Sequence, residues 1–396
     1  MKVAFVHNLP TGGARRFSFY QLKFLRELGY QVVEFAPSTA NVEHLNFKPV
    51  VEKQFFYPAS ECEMYSKRIP LLTPYIHSFQ GIRALKDQQK LMRKMAADID
   101  AAGFDLVFVA DGMVMACPYV LRYLQTPSVF YCHGLERPYH REKKKGLKEF
   151  YYWPAYWLFR SLYIADEQEN AKFPRVVITN SNYSAKKLSE MYGRSIQVIY
   201  PGIDVDLFRP LNLEREPYLL CVGAMIRQKG YRFLVSALSL IEEKWRLPLR
   251  ILANSIDTEE WRIVQKMAVE RGVKLEMQKV EDDEQLVQIY NRAKVFVYAP
   301  YNEALGLAPL EAMACGTPVV AVGEAGVVEV MADNMEYVTK RDEVAFSQKI
   351  QEVLREPGGQ NLNLRDMVCQ KWNWQFSIER LIKYFRDTTN SQGGIK

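Results

Sequence analysis

The stretch KVFVYAPYNEALGLAPLEAMACGTPVVAV, residues 294–322, decides the fold. Its first part, KVFVYAP, is a continuous apolar run of the kind a strand buried on both faces requires. Pro300, Asn302 and Gly306 mark the loop that leaves it. A helix is expected through Leu310, Met313 and Ala314, stopped by Gly316 and Pro318, before the strand PVVAV returns. Such a strand, loop, helix, strand unit is the repeat of a parallel sheet.

The same pattern runs through the whole chain. KVAFVH, QVVEFAP, DLVFVAD, SVFYCH and RVVITNS occupy the first half, and YLLCVG, LRILAN, VKLEMQ, KVFVYAP and PVVAVG the second, spaced by helical patterns. With 396 residues the chain exceeds the usual size of one core, so two doubly wound α/β domains are expected. YPGIDVDLFRPLNLEREP, residues 200–217, carries Pro201, Gly202, Pro210 and Pro217 with little periodicity and reads as the linker. The expected domains are therefore 1–200 and 201–374, with a C-terminal helix, 375–396, completing the first.

Composition narrows the partners. No segment approaches the roughly 18 uninterrupted apolar residues of a membrane-spanning helix, and MKVAFVHNLPTGG is too short in its apolar part for a signal peptide. Cys62, Cys117, Cys132, Cys221, Cys315 and Cys369 lack the spacing of a zinc site and read as reduced core thiols of a cytoplasmic protein. Residues 1–200 hold 27 Lys and Arg against 18 Asp and Glu, a balance of +9, which leaves −3 for residues 201–396. No nucleic-acid-binding motif accompanies the positive half, so nucleic acid is not an expected partner.

Phe17, Tyr20, Phe24, Leu25 and Leu28 recur at helical spacing, with Gly29 as the stop. TGGA, residues 11–14, is then the turn from the first strand into this helix, at the strand end where open parallel sheets bind ligands. Gly12 and Gly13 let backbone approach a phosphate or an acceptor there.

In the opening stretch Glu303 falls on the loop at the strand's carboxyl end. Leu307 and Ala308 fall at the helix start, where backbone N–H groups lack intrahelical acceptors and favour an anion such as phosphate. Pro309 donates nothing, a loss the first helical turn tolerates. Glu311, about one turn further on, can accept two hydrogen bonds from a vicinal diol such as a ribose. Spacing alone leaves a second reading open, a buried βαβ unit with two incidental solvated acids.

The E-x7-E pair Glu303 and Glu311, followed by EAMACGTPVVA, resembles the donor-binding motif of retaining glycosyltransferase family 4. Gly12 and Gly13 after the first strand, PGID with Phe208, VGAMIRQKGY, and GEAGVVEV with Glu329 are similar to the same family at compatible places. The resemblance implies the GT-B fold, two Rossmann-like domains facing a central cleft. It also implies a nucleotide-diphosphate sugar, UDP- or GDP-linked, as co-substrate, with no further cofactor.

In that family a Gly-Arg pair and a Lys-Gly pair hold the donor diphosphate. Lys229 and Gly230 match the second pair, but Ala224 stands where the arginine is expected, leaving Arg227 as the substitute candidate. His133, after the strand SVFYC and before Gly134, matches the family's catalytic-loop histidine, with a satisfied core histidine as the alternative. Glu303 is cast as a binder of sugar hydroxyls and an electrostatic support for oxocarbenium-like charge. The residues that read the base are expected in a loop such as Gln278 to Glu281. DVD, residues 204–206, belongs to the linker, so Asp204 and Asp206 are not expected to hold a metal.

HREKKKGLKEFYYWPAYWLFRSLY, residues 140–163, joins a basic cluster to seven aromatics between Phe150 and Phe159. Five positive charges and one negative lie between Arg141 and Lys148. Basic residues beside Trp and Tyr suit an anionic bilayer surface. The competing reading packs the aromatics into the domain, and Pro154 argues against one long amphipathic helix.

The expected activity is retaining, metal-independent transfer of a hexose to an acceptor hydroxyl held by the first domain. That acceptor is a sugar, a lipid-linked molecule or a polysaccharide precursor, met in the cytoplasm or at the membrane's inner face. Ala224 motivates a rival, a catalytically weak sugar-nucleotide-binding or scaffold subunit. A dehydrogenase lacks support, because TGGA is not G-x-G-x-x-G and no ribose-binding acid is placed about 20 residues further on.

Overall fold

The computed structural model describes the chain except for residues 10–11, 41–44, 60–72, 113–114, 135–152, 281, 333, 335–337, 357–360 and 391–396. The chain forms two compact units, one of Met1–Asn180, Ser184–Ile199 and Ile378–Lys396, the other of Ser181–Tyr183 and Tyr200–Ser377.

The first unit holds a seven-stranded parallel sheet of β1 (Lys2–Asn8), β2 (Gln31–Pro37), β3 (Lys53–Tyr57), β4 (Leu106–Gly112), β5 (Ser128–Cys132), β6 (Val176–Thr179) and β7 (Gln197–Val198), in the order β3-β2-β1-β4-β5-β6-β7. Its helices are α1 (Gly13–Glu27), α2 (Thr73–Ala101), α3 (Val120–Tyr123), α4 (Trp153–Asn170) and most of α5 (Asn182–Tyr192). Every residue of β4 is buried, which is why its sequence reads as one apolar run and not as an alternation.

The second unit holds six parallel strands, β8 (Glu216–Val222), β9 (Leu249–Leu252), β10 (Leu275–Gln278), β11 (Ala293–Tyr298), β12 (Val319–Val322) and β13 (Val338–Thr339), in the order β10-β9-β8-β11-β12-β13. Around it run α6 (Tyr231–Ser239), α7 (Thr258–Glu270), α8 (Asp283–Arg292), α9 (Leu307–Ala314), α10 (Val327–Val330), α11 (Glu343–Arg355) and α12 (Leu362–Lys371). The last helix, α13 (Trp374–Asn390), begins in this unit and continues in the first. Successive strand residues face opposite sides. Leu220 and Phe296 accordingly join Tyr290 and Leu310 in one apolar layer, while Leu219, Val295 and Val297 join Leu234 and Phe346 in the other.

In each sheet the strand order reverses once, between β1 and β4 and between β8 and β11. The carboxyl ends at such a switch point leave a crevice that loops can line.

Several expectations are corrected. Three strands went unread: β3, β7 and β13; because β3 precedes it, SVFYC, the fourth run read from the sequence, is the fifth strand, and His133 follows it. In α1 the buried stripe is Phe17, Ser18, Gln21, Leu22 and Leu25, whereas Leu28 is the exposed C-cap beyond the last turn. Gly29 does take a left-handed φ of 82° just after it. Pro154 falls in the first turn of α4, where its missing N–H breaks no helical bond, so α4 runs unbroken for 18 residues. Residues 200–215 pack onto the second unit, where Phe208 is buried and Ile203 bridges to Asn373.

Candidate donor and acceptor sites

The second-unit site is assembled by three loops at the carboxyl ends of its strands. After β8 the chain turns at Gly223 and forms a single 3-10 turn, Arg227–Lys229, closed by Gly230. The Lys229 stem lies over Gly223, where a Cβ would come within 3.4 Å of Cδ. After β11 the loop carries Glu303 to Gly306, the N-cap of α9. The third loop, after β12, leads into α10.

Backbone contacts lock these loops together. The Tyr301 N–H donates to the Gln228 carbonyl at 2.7 Å, and the Gly326 N–H to the Glu303 carbonyl at 3.0 Å. A Cβ on Gly230 would lie 1.9 Å from the Ala299 oxygen, and one on Gly326 would lie 2.0 Å from the Ala304 oxygen. Arg341 clamps the second and third loops. Its guanidinium donates to the carbonyls of Ala299 (3.0 Å) and Pro300 (2.6 Å), pairs with Glu324, and covers the Tyr301 ring at 3.8 Å. Only backbone lacking a Cβ allows approaches this close.

On this frame Lys229 and Glu303 meet. Lys229 Nζ lies 2.7 Å from Glu303 Oε2, with both side chains about a quarter exposed. Burial, then the Glu303 carboxylate beside it, pushes the Tyr298 hydroxyl well above its ordinary pKa. Tyr298 therefore stays a neutral donor toward that carboxylate.

Leu307 and Ala308 form the first turn of α9, which begins four residues after Glu303. Glu311 follows on the next turn, almost fully buried, and its Oε2 accepts from the Tyr290 hydroxyl at 2.8 Å. Two loops thus bring a cation and a carboxylate together four residues ahead of the α9 N-terminus, with the Glu311 carboxylate one turn further along that helix. Arg227 shares the turn with Lys229 but is exposed, and among the described residues it makes no ion pair with Glu303 or Glu311.

The remaining expectations fall elsewhere. Asp204 closes the turn of residues 204–208, its Oδ1 accepting from the Leu207 N–H at 3.0 Å. Glu329 accepts from the Tyr200 hydroxyl at 2.6 Å and the Tyr183 N–H at 2.8 Å. Glu281 of the expected base-reading loop and the basic cluster Arg141 to Lys148 lie outside the described residues.

The first unit carries its own set. Gly12 caps α1 at a φ of 134°, accepting from the Arg16 N–H, and Gly13 opens the helix. His133 leaves β5 with its backbone N–H donating to Asp111 Oδ1 at 2.9 Å, while the Gly134 N–H donates to Oδ2 at 3.2 Å. The His133 ring is half-buried against Phe17 and Tyr131, and its Nε2 is 3.3 Å from Ser18 Oγ on α1. The structure therefore links His133 to the helix that begins at Gly13.

Sequence reasoning missed Asp111, Ser18, Tyr290, Tyr298 and the Arg341–Glu324 clamp. Only Asp111, the polar end of DLVFVAD, carried a local signal, because an acid closing an apolar strand at its carboxyl end falls at the ligand-binding edge.

Two family profiles match the chain. Glycosyltransferase Family 4 matches residues 11–207, and Glycosyl transferases group 1 matches residues 204–369. Among curated relatives, the mouse (Mus musculus) alpha-1,3/1,6-mannosyltransferase ALG2 is 25% identical over 71% of this chain and 73% of its own length. A D-inositol 3-phosphate glycosyltransferase of Corynebacterium urealyticum is 26% identical over 56% of this chain, and the match takes in 58% of that relative. Among solved structures, Anabaena HepE in complex with UDP and glucose superposes with a TM-score of 0.75 at 15% identity, covering 98% of this chain and 100% of that one. Sucrose-phosphate synthase from Thermosynechococcus elongatus superposes with a TM-score of 0.71 at 20% identity, over 98% and 99% of the two chains. The two profiles between them span the described sites, the doubly wound sheets agree with both superpositions, and the chain belongs to glycosyltransferase family 4, with the GT-B fold.

Proposed function

We propose that this glycosyltransferase moves a hexose from a UDP- or GDP-linked donor to an acceptor hydroxyl with retention of configuration, using no metal and no further cofactor. The observation that carries the reading is the Lys229–Glu303 pair at 2.7 Å, four residues ahead of the α9 first turn. Lys229 and the N–H groups of Leu307 and Ala308 hold the diphosphate, where charge grows as the leaving group departs. Glu311 takes the ribose and Glu303 the sugar hydroxyls. Anabaena HepE, solved with UDP and glucose, supports a nucleotide-sugar donor for the fold. In the first unit, His133 and the Gly12–Gly13 turn serve the transferred sugar and the acceptor.

Activity is expected to survive EDTA, because Asp204 is engaged in its turn and Lys229 with the helix N–H groups supplies the positive charge. Loss on chelation that magnesium or manganese restores would overturn metal independence.

Ala224 in place of the family arginine favours one rival, a subunit that binds the donor with weak or no turnover. Release of nucleoside diphosphate from a panel of UDP- and GDP-sugars, measured without acceptor and with crude lipid or sugar acceptors, separates the two. No release under any condition, with binding intact, supports the rival.

Attachment at the inner face of an anionic membrane, with a lipid-linked or membrane-proximal acceptor, belongs to the same proposal. On α4 Phe159 and Tyr163 are buried, while Trp157, Leu158 and Leu162 are exposed and the Arg160 guanidinium lies 5.0 Å from the Trp157 ring. Among the described residues no helix is long and apolar enough to cross a membrane. Each Lys or Arg near an anionic surface contributes about 1 kcal/mol, screened by salt. Cosedimentation with anionic vesicles at low salt is expected, falling at high salt and falling again when Lys143, Lys144 and Lys145 are replaced by Gln. Equal recovery with neutral vesicles, or no effect of the replacements, would make the segment ordinary surface and remove the case for a membrane-proximal acceptor.

A further inference from the structure

Glu311 is an almost fully buried carboxylate, and its Oε2 accepts from the hydroxyl of Tyr290, a residue with no solvent exposure on α8. Burying a phenol and a carboxylate together costs desolvation that an apolar pair would avoid, so the bond must contribute something other than packing.

Tyr290 is fixed at both ends. Its ring sits between Phe208 and Phe296, with centroids 6.1 and 5.7 Å away. Its backbone carbonyl accepts from Thr317 Oγ1 at 2.7 Å, and Thr317 in turn accepts from Arg215 at 2.9 Å. A side chain so anchored presents its O–H in one direction. A glutamate on a helix has three rotatable bonds, and a hydrogen bond to one carboxylate oxygen removes most of that freedom.

We propose that Tyr290 is a positioning residue that sets the Glu311 carboxylate for two hydroxyls of the nucleotide ribose, and so determines the preference for ribonucleotide over deoxyribonucleotide donors. This rests on the reading of Glu311 as the ribose acceptor. Two hydroxyls on neighbouring carbons accept only a narrow range of carboxylate orientations, whereas a single hydroxyl tolerates many. Loosening Glu311 therefore affects the diol most and the rest of the nucleotide least.

The test measures dissociation constants of UDP and GDP, and of their 2′-deoxy and 3′-deoxy counterparts, for the full chain, Tyr290→Phe, Glu311→Gln and the double variant. Phe keeps the ring in its apolar slot, so Tyr290→Phe is expected to fold. The preferred ribonucleotide should bind the unaltered protein at least tenfold more tightly than its deoxy counterparts. In Tyr290→Phe that ratio should fall at least threefold, with deoxynucleotide affinity within twofold of the original and kcat at saturating donor little changed. In the Glu311→Gln background, Tyr290→Phe should change the ratio no further. A full ribose preference in Tyr290→Phe would overturn the positioning role and leave Glu311 as ribose acceptor standing. Equal weakening of ribo and deoxy nucleotides would also overturn it, as a packing effect. A full preference in Glu311→Gln, or none in the unaltered protein, would remove the ribose reading and the proposal with it.

Discussion

Lys229→Ala is expected to lower turnover at saturating donor by about 10- to 100-fold while the melting temperature moves by no more than about 3 °C. The first figure follows from a charge-assisted hydrogen bond to the leaving diphosphate, which contributes about 1.5–3 kcal/mol where charge develops. The second follows from the exposure of the pair. Lys229 and Glu303 are both about a quarter exposed, and ion pairs that water reaches contribute roughly 0–1 kcal/mol to folding.

The same pair gives a control of opposite sign. On the proposed reading a diphosphate competes with Glu303 for the Lys229 ammonium, so the ion pair opposes diphosphate binding. Glu303→Gln removes the competing carboxylate charge while keeping the side chain's size. Nucleoside diphosphate is therefore expected to bind Glu303→Gln as tightly as the unaltered protein or about two- to fivefold more tightly, while sugar transfer falls at least as far as in Lys229→Ala. Transfer kinetics and calorimetric titration with UDP and GDP read both. Normal turnover in Lys229→Ala would remove the lysine from the diphosphate site. Weakened diphosphate binding in Glu303→Gln would show that the carboxylate supports the lysine and does not compete with it.

What the sequence disclosed follows from which features are local. Strands buried on both faces announce themselves as apolar runs, and β1, β4, β8 and β11 were all legible on that ground. The loop and helix from Glu303 to Ala314 were legible because glycine and proline punctuate both ends. The edge strand β3 was not. KQFFY leaves Phe55 and Phe56 exposed and has neither a continuous apolar run nor a clean alternation. With two residues each, β7 and β13 are too short for any periodicity.

The site divides in the same way. Glu303, Leu307, Ala308 and Glu311 share one short segment, so a pattern could propose them together. Lys229 pairs with Glu303 across 74 residues, and Tyr290 reaches Glu311 across 21. Neither spacing corresponds to a helical or strand repeat. The first contact exists because parallel strands bring distant loops to one edge, and the second because α8 and α9 lie side by side, consequences of topology that no window of sequence contains. The Arg341–Glu324 clamp is of the same kind, and it fixes the carbonyls of the loop that carries Glu303.

Gly230→Ala tests that frame directly and is expected to do more damage to the fold than any substitution of the charged groups it supports. Gly230 has a φ of 75°, where an L side chain is strained by roughly 1 kcal/mol. Its added Cβ would also lie 1.9 Å from the Ala299 oxygen, a backbone atom at the end of β11. Relief by a small shift is blocked, because that carbonyl accepts from Arg341 and the next residues are held by Pro300 and Tyr301 contacts. Overpacking of this sort costs about 1–3 kcal/mol or more. The two effects together make about 2–4 kcal/mol, a fall of roughly 5–15 °C in the transition of a unit this size. If the protein instead yields by moving the 3-10 turn, Lys229 leaves Glu303 and turnover falls with it. Gly12→Ala is the comparison, since its φ of 134° is also strained for a side chain but, among the described residues, nothing lies within 4 Å of the added Cβ. It should cost about 1–3 kcal/mol, from backbone strain without a steric clash. Calorimetry of both variants beside donor titration decides the matter. A Gly230→Ala protein that melts within about 2 °C of the original and binds UDP or GDP as before would mean that the three loops are not locked as described.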